Sequence, residues 1–240
     1  MKCKLCLEDK PLLKKSHIIP DFMYQGLFDE NHKLYKISSE KSWVERPSDG
    51  EYESDILCSD CDNVRLGKFE TYAASTLYGK NLPAENAPKV RNEINQNNIK
   101  STYCSNIEYK KFKLFLLSIL WKASISARPV FEDVNLDKDE EIIRKMLLEE
   151  NPGEIDEYPC FMVSYLTNKE LSHDIIGKPI KVNEGMQHTF LIGGIYYNYY
   201  LNKEKLPKYI FEGIIKKSNE LRIVHIPDHL ANSFLKSYFT

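Results

Sequence analysis

The chain has four cysteines in two Cys-x-x-Cys pairs, and their type and spacing are suited to binding a metal ion. Cys3 and Cys6 form the first pair, and Cys58 and Cys61 form the second. A Cys-x-x-Cys turn presents two thiolates at the bite that tetrahedral Zn²⁺ requires, so two such turns complete its ligand set and leave no open position. The sequence therefore predicts one shared structural zinc ion, and the alternative is two unrelated cysteine pairs.

A histidine and a carboxylate stand beside these pairs and could build a second, catalytic site. His17 lies in the run Lys-Ser-His-Ile-Ile-Pro at 15–20, and Asp62 directly follows Cys61. Residues 62–74 carry apolar side chains on one side at helical spacing, so a helix follows the second pair. A zinc-bound turn that leads directly into a helix is the treble-clef arrangement, in which the helix begins beside the strand that follows the first pair. We therefore expect His17 and Asp62 to meet in space.

This combination resembles the HNH (ββα-metal, or His-Me finger) endonucleases of the zinc-containing kind. It is most similar to bacterial HNH-like proteins with a Ser-His-Ile-Ile-Pro signature, and the resemblance covers residues 3–72. The segment at 115–124 is also similar to a recurrent segment of those proteins. The resemblance implies a metal-dependent endonuclease that hydrolyses DNA phosphodiester bonds, in a defence or mobile-element setting.

The resemblance also implies roles for individual residues. His17 would be the general base, since an imidazole exchanges protons readily near neutral pH. Asp62 would bind Mg²⁺ or Mn²⁺, which prefer oxygen ligands. Ser16 stands where the family usually has a metal-binding Asp, and Asn63 and Glu70 are the further candidates for the same metal.

Each candidate has a structural interpretation as well. The structural roles are a buried histidine for His17, a hydroxyl for Ser16, a helix N-cap for Asp62, no specific role for Asn63 and a salt-bridged or solvated helix residue for Glu70. Lys15, Arg65 and Lys68 are candidates for phosphate contacts, and their alternative is plain surface charge. A catalytically silent zinc-scaffolded module that binds nucleic acid or protein is therefore the competing hypothesis, and Ser16 favours it.

Bulk properties limit the partners that the chain could have. Dedicated nucleic-acid binders usually carry a net positive charge, whereas this chain has a net charge of −2. A basic strip at 89–122, whose last basic residue is Lys122, could still follow a phosphate backbone, or it could be a solvated face. No apolar run reaches the roughly 18 residues that span a bilayer, and the N-terminus lacks a signal-peptide core. We therefore expect a cytoplasmic protein that binds DNA and no membrane, with Cys104 and Cys160 as inert thiols.

The chain divides into three parts by composition. Residues 1–80 form the zinc-binding HNH-like module, 81–104 a loop-like connector, and 105–240 an α+β domain with two helices and a small antiparallel sheet. In the last part Ser105 is the expected N-cap of an amphipathic helix, and Asp137 begins a second helix. The expected strands lie at 160–166, 189–192, 195–201 and 221–226, and a closing helix at 230–239. The fold class is thus α+β, a treble-clef ββα module followed by a domain that would choose the substrate, sense a signal, or bind a protein partner or a second copy.

Overall fold

The N-terminal part of the structure consists of short strands followed by a helix. A computed structural model describes residues 1–24, 34–37, 44–48, 50–79, 83, 85–166, 168, 175–182, 186–201, 206 and 210–239 of the 240-residue chain. The first elements are β1 Ser16–His17, β2 Leu34–Ile37, β3 Val44–Ser48, β4 Tyr52–Glu53, a π-helix Asp60–Leu66 and α1 Gly67–Tyr78, with a 3₁₀ turn at Asp21–Tyr24. Strand β1 pairs antiparallel with β4, and β2 pairs with β3. Helix α1 ends at Gly79, whose φ of 67° is a left-handed conformation that glycine adopts without steric cost.

The expected loop-like connector contains a β-hairpin, so the prediction for 81–104 was wrong over most of its length. Strands β5 Lys89–Ile94 and β6 Lys100–Ser105 pair antiparallel along their whole length. The asparagine-rich run supplies the turn: the Asn95 side chain accepts two backbone N–H bonds, and Asn98 takes a φ of 59°. Asparagine tolerates this left-handed conformation and bonds its own backbone, which makes it a hairpin-turn residue as well as a loop residue.

The remaining elements build one large sheet covered by helices. They are α2 Tyr109–Ser124, a 3₁₀ turn Pro129–Phe131, α3 Asp139–Glu149, β7 Cys160–Ser164, β8 Ile180–Val182, β9 Gln187–Ile192, β10 Ile195–Tyr200, α4 Ile210–Gly213, β11 Glu220–His225 and α5 Asp228–Phe239. The seven strands lie in the order β5-β6-β11-β7-β10-β9-β8. The sheet is therefore larger than expected and is mixed, since β11 and β7 run parallel while the other neighbours are antiparallel.

Helix α2 is the centre of the molecule. It begins at Tyr109 after Glu108, whereas Ser105, the expected N-cap, is the last residue of β6. Thirteen of its 16 residues are buried, which is typical of a helix packed on all sides rather than along one stripe. One continuous apolar cluster joins α2 to Leu5 and Phe69 of the N-terminal part and to Tyr197 of the sheet.

These observations confirm the α+β class. Tyr196, Tyr197 and Tyr199 are buried, so the tyrosine-rich strand β10 serves packing. Within the described ranges, no helix combines the length and the apolar character needed to cross a membrane.

Candidate functional site

The four cysteines lie together at the start of the fold. Their sulfur atoms are all within 4.8 Å of one another. Four thiolates at Zn–S bonds of about 2.3 Å stand about 3.8 Å apart in a tetrahedron, so the cluster fits a zinc ion. The second turn is closed by N–H bonds from Cys61 and Asp62 to the Cys58 carbonyl, and the Cys58 N–H donates to Cys3 Sγ at 3.4 Å. The predicted shared metal site is therefore confirmed as a set of ligands that could hold a metal such as zinc.

The protein environment prepares one of these thiols to be a ligand. Desolvation raises the pKa of the Cys3 thiol, but backbone hydrogen bonds from Cys58, Cys6 and Leu5 outweigh it and lower that pKa to about 7. Burial raises the pKa of Cys61, next to the same sulfurs. A cation is the group that would let all four sulfurs carry negative charge at once, because bound metal deprotonates a coordinating thiol outright.

An open cleft of about 430 Å³ lies against the helix that follows the cysteine cluster. Its walls come from three parts of the fold: the chain around β1, the π-helix with α1, and α2. The charged or titratable residues that line it are Lys15, His17, Asp21, Asp62, Glu70 and Lys122. Residues far apart in sequence therefore meet at one concave surface, and His17 and Asp62 both belong to it, as the sequence predicts.

His17 is placed by the pairing of β1 with β4. It lies opposite Tyr52, whose ring meets the imidazole edge to face with centroids 6.2 Å apart. Its Nε2 lies 3.9 Å from an Asp21 carboxylate oxygen, and the side chain is 24% exposed. The imidazole thus packs against an aromatic ring and lies near a carboxylate while still open to the cleft, a setting that suits a proton-transfer group.

Asp62 sits deeper in the cleft than a simple helix cap would. Desolvation raises the pKa of its carboxyl, and the Lys122 charge opposes that effect. The hydroxyl of Ser16, which is fully buried, also lowers this pKa, although it makes no hydrogen bond of standard geometry to any residue that the structure describes. His17 adds a further favourable interaction with the ionised carboxylate. Lys122, Ser16 and His17 therefore stabilise a negative charge that burial and the nearby Glu70 carboxylate disfavour.

A π-helix brings Asp62 and Glu70 to the same side. In a regular α-helix the eight-residue spacing leaves the two side chains about 80° apart round the axis. The Gly67 N–H donates to the Asp62 carbonyl five residues back, so this turn holds one residue more than an α-turn. One extra residue is worth about 100°, which reduces the offset to about 20°. Both carboxylates therefore line the cleft.

Glu70 is paired inside the cleft with Lys122, the last basic residue of the strip at 89–122. Lys122 Nζ donates to Glu70 Oε1 at 2.7 Å, and the exposed fractions of the two side chains are 1% and 24%. The ion pair joins α1 to α2 across the cleft floor. The salt-bridged interpretation of Glu70 is therefore correct, and its carboxylate is shared with a buried cation.

The remaining candidates divide between the cleft and another interface. Lys15 lines the cleft and its Nζ lies 4.7 Å from the centre of the Tyr52 ring, and Asn63 lines it while donating to Ser59 Oγ at 3.1 Å. The two other basic candidates, Arg65 and Lys68, are not brought to the cleft. Arg65 donates to the Leu148 carbonyl at 2.6 Å, and both contact the Glu150 carboxylate at the end of α3. They satisfy the C-terminal end of that helix, where carbonyl groups lack helical partners.

One signal for Lys122 was present in the sequence. It falls at the apolar spacing of α2, three residues after Ile119 and between Trp121 and Ala123, where a solvated lysine does not belong. Its partner is 52 residues away, so the pattern of α2 alone could not show what the ammonium binds.

The cleft lacks a ready-made cage for a second metal. In the part of the chain that the structure describes, the cysteine cluster is the only group of three or more histidine, cysteine or acidic residues arranged to hold an ion. Asp62 offers a single carboxylate, an arrangement that Mg²⁺ accepts when water and substrate phosphate complete its ligands. Comparison with family models, with curated proteins and with solved structures finds no match to this chain.

Proposed function

We propose that this protein is a metal-dependent endonuclease of the HNH type that hydrolyses phosphodiester bonds of DNA. The observation that carries the proposal is the cleft in which His17 and Asp62 face one space beside a four-cysteine cluster. The β1–β4 pair, the second cysteine turn and the helix after it have the element order of a treble clef with a ββα outline, which supports assigning that module to residues 1–80.

In this proposal the chain's own residues divide the work. His17 accepts a proton from the water that attacks phosphorus, and Asp21 holds the imidazole in place and offsets the charge that it gains. Asp62 is the residue that would hold Mg²⁺ or Mn²⁺. Such a metal supplies Lewis-acid stabilisation of the phosphate oxygens when bound. Zinc at the four cysteines is structural, because its ligand set is already complete.

The test is nicking of supercoiled plasmid with Mg²⁺ or Mn²⁺ added to the zinc-loaded protein. We expect His17→Ala to lose at least about a hundredfold in rate, the scale of a general base. His229→Ala, an exposed histidine on α5, is the matched control and should cut at the wild-type rate. Equal cutting by wild type and His17→Ala would remove His17 from the mechanism, and no cutting under any metal would remove the enzyme assignment.

A catalytically silent zinc-scaffolded module is the second candidate, and two observations favour it. Ser16 replaces the usual acidic ligand and is buried, and Glu70 is engaged by Lys122. Crystals soaked in Mn²⁺ discriminate between the candidates, because the ion gives an anomalous signal. A peak between His17 and Asp62 supports the enzyme, whereas an empty cleft beside an occupied cysteine site supports the binding module.

A further inference from the structure

Lys122 is an unusual residue for its position. Its side chain is 1% exposed and stands on a helix whose other buried residues are mostly apolar. Lysine is almost never fully buried unless it is paired, because removing an ammonium from water costs several kcal/mol. Something at this position must therefore use the positive charge.

The protein satisfies that ammonium only in part. A lysine ammonium carries three protons. Within the ranges that the structure describes, Nζ makes one hydrogen bond, to Glu70, and Asp62 interacts with it through charge alone. Two donors of a buried cation are thus left without an acceptor among the described residues, on a side chain that lines the cleft.

A second buried lysine on the same helix has more of its donors bound by the protein. Lys113 is 3% exposed, and its Nζ donates both to Tyr109 Oη at 3.1 Å and to the Glu154 carbonyl. It does not line the cleft. Lys113 is therefore a lysine that holds the fold together, whereas Lys122 has two donors that remain available.

The surroundings select the class of ligand. Lys15 and His17 line the same cleft and add nitrogen groups beside the carboxylates of Asp21, Asp62 and Glu70. A volume of about 430 Å³ admits a phosphate group with part of a sugar. Phosphate oxygens accept several hydrogen bonds and carry charge, and lysine binds them as a point charge.

We propose that Lys122 is the phosphate-binding residue of the cleft, donating its two remaining Nζ protons to non-bridging oxygens of a nucleic-acid phosphodiester. Glu70 holds the ammonium in position and does not contact the ligand. The choice of a phosphodiester rests on the proposed function, but the binding itself requires no hydrolysis. The buried cation also adds positive charge near Asp62.

The experiment measures binding of a short fluorescein-labelled DNA duplex by fluorescence anisotropy. Zinc-loaded protein is used without added Mg²⁺ or Mn²⁺, so the DNA is not cut. We expect Lys122→Met to weaken binding by about tenfold, the size of one lost charge-assisted contact. It should also reduce the slope of log K against log salt by about 0.9, the value for one phosphate contact. Lys113→Met, the matched control, should keep the wild-type slope.

Two further variants separate phosphate binding from a structural role. Glu70→Gln keeps a side-chain oxygen that accepts from the ammonium and removes only the negative charge, so binding should stay the same or become tighter. The double variant Lys122→Met/Glu70→Gln removes both charges of the pair, which protects the fold if the single lysine variant is unstable. It should melt near the wild-type temperature and still bind weakly. Wild-type binding by the double variant, or weaker binding by Glu70→Gln, overturns the proposal.

Failure of the phosphate site can be distinguished from failure of the nuclease assignment. If no metal gives plasmid cutting but DNA binding depends on Lys122, the phosphate site stands and hydrolysis fails. If plasmid is cut, and the double variant cuts with unchanged KM and kcat, the phosphate site fails and hydrolysis stands.

Discussion

At the scale of single residues, Ser16 tests the proposed HNH-type site, because a serine stands where that proposal expects an acidic residue. Its side chain is fully buried next to Asp62, and its hydroxyl makes no hydrogen bond of standard geometry among the described residues. A carboxylate at this point would stand beside another carboxylate without access to water. It could be tolerated only with a cation between the two.

We therefore expect Ser16→Asp to make the fold depend on a divalent metal. Without metal, the unpaired buried charge should cost on the order of 3 kcal/mol in the free energy of unfolding. With Mn²⁺, the melting temperature should recover, because the ion binds only the folded state. Thermal melts with and without Mn²⁺ check this. Ser16→Ala is the control and should change stability little in either condition, and a metal-independent loss in Ser16→Asp would contradict the idea.

The cysteine ligands and the His17–Asp62 meeting were predictable from sequence, since both follow from motifs only a few residues long. No individual role could be assigned to Lys122 from sequence, because the contacts of its ammonium depend on Glu70 and on the packing of α2 against α1. The contacts of Arg65 and Lys68 were not predictable for the same reason. Their partner, Glu150, lies on a distant helix end that no local pattern reveals.

At the scale of elements, the second cysteine turn and the helix after it act as one unit. The turn runs into the π-helix through N–H bonds to Cys58, and the π-helix runs into α1. The sequence predicted a helix here but not the extra residue in its first turn, because a π-turn arises from what the helix must pack against at both ends. The hairpin of β5 and β6 escaped prediction because its edge strand is mostly exposed.

Cys58→Ser should uncouple this unit. We expect loss of stoichiometric zinc and a lower melting temperature, since metal binding in such sites contributes directly to folding. Elemental analysis and circular dichroism measure both effects. Cys104→Ser changes a thiol that lies outside the cluster, and it should retain one zinc per chain. Full zinc content in Cys58→Ser would show that the cysteine pairs do not share an ion.

At the scale of the whole molecule, the two halves distinguished by composition share one core. Phe115 of α2 is fully buried and lies 5.7 Å, centroid to centroid, from Phe22 of the cleft wall. The apolar cluster continues from there into the sheet. The cleft is therefore backed by the same side chains that stabilise the C-terminal part, so a partition at 80–105 does not mark two separate cores.

Phe115→Ala should consequently destabilise the entire chain in one transition. We expect a loss of about 3–5 kcal/mol in the free energy of unfolding, the usual cost of removing a buried phenyl ring. Denaturant melts followed by near-UV and far-UV circular dichroism should coincide. Phe234→Ala, at an exposed ring on α5, should cost much less. Two separate transitions in the Phe115 variant would indicate independent domains.

The position of β11 between β6 and β7 has a consequence for how the chain folds. Strands β5 and β6 form one local group and β7 to β10 another, and β11 is the strand that joins them. Its contacts with β6 close a loop of more than a hundred residues, which is slow because chain entropy must be lost before the pairing stabilises anything. Until that closure the inner edges of both groups present unsatisfied amides to other chains. Assembly of the sheet therefore passes through a stage that is vulnerable to aggregation.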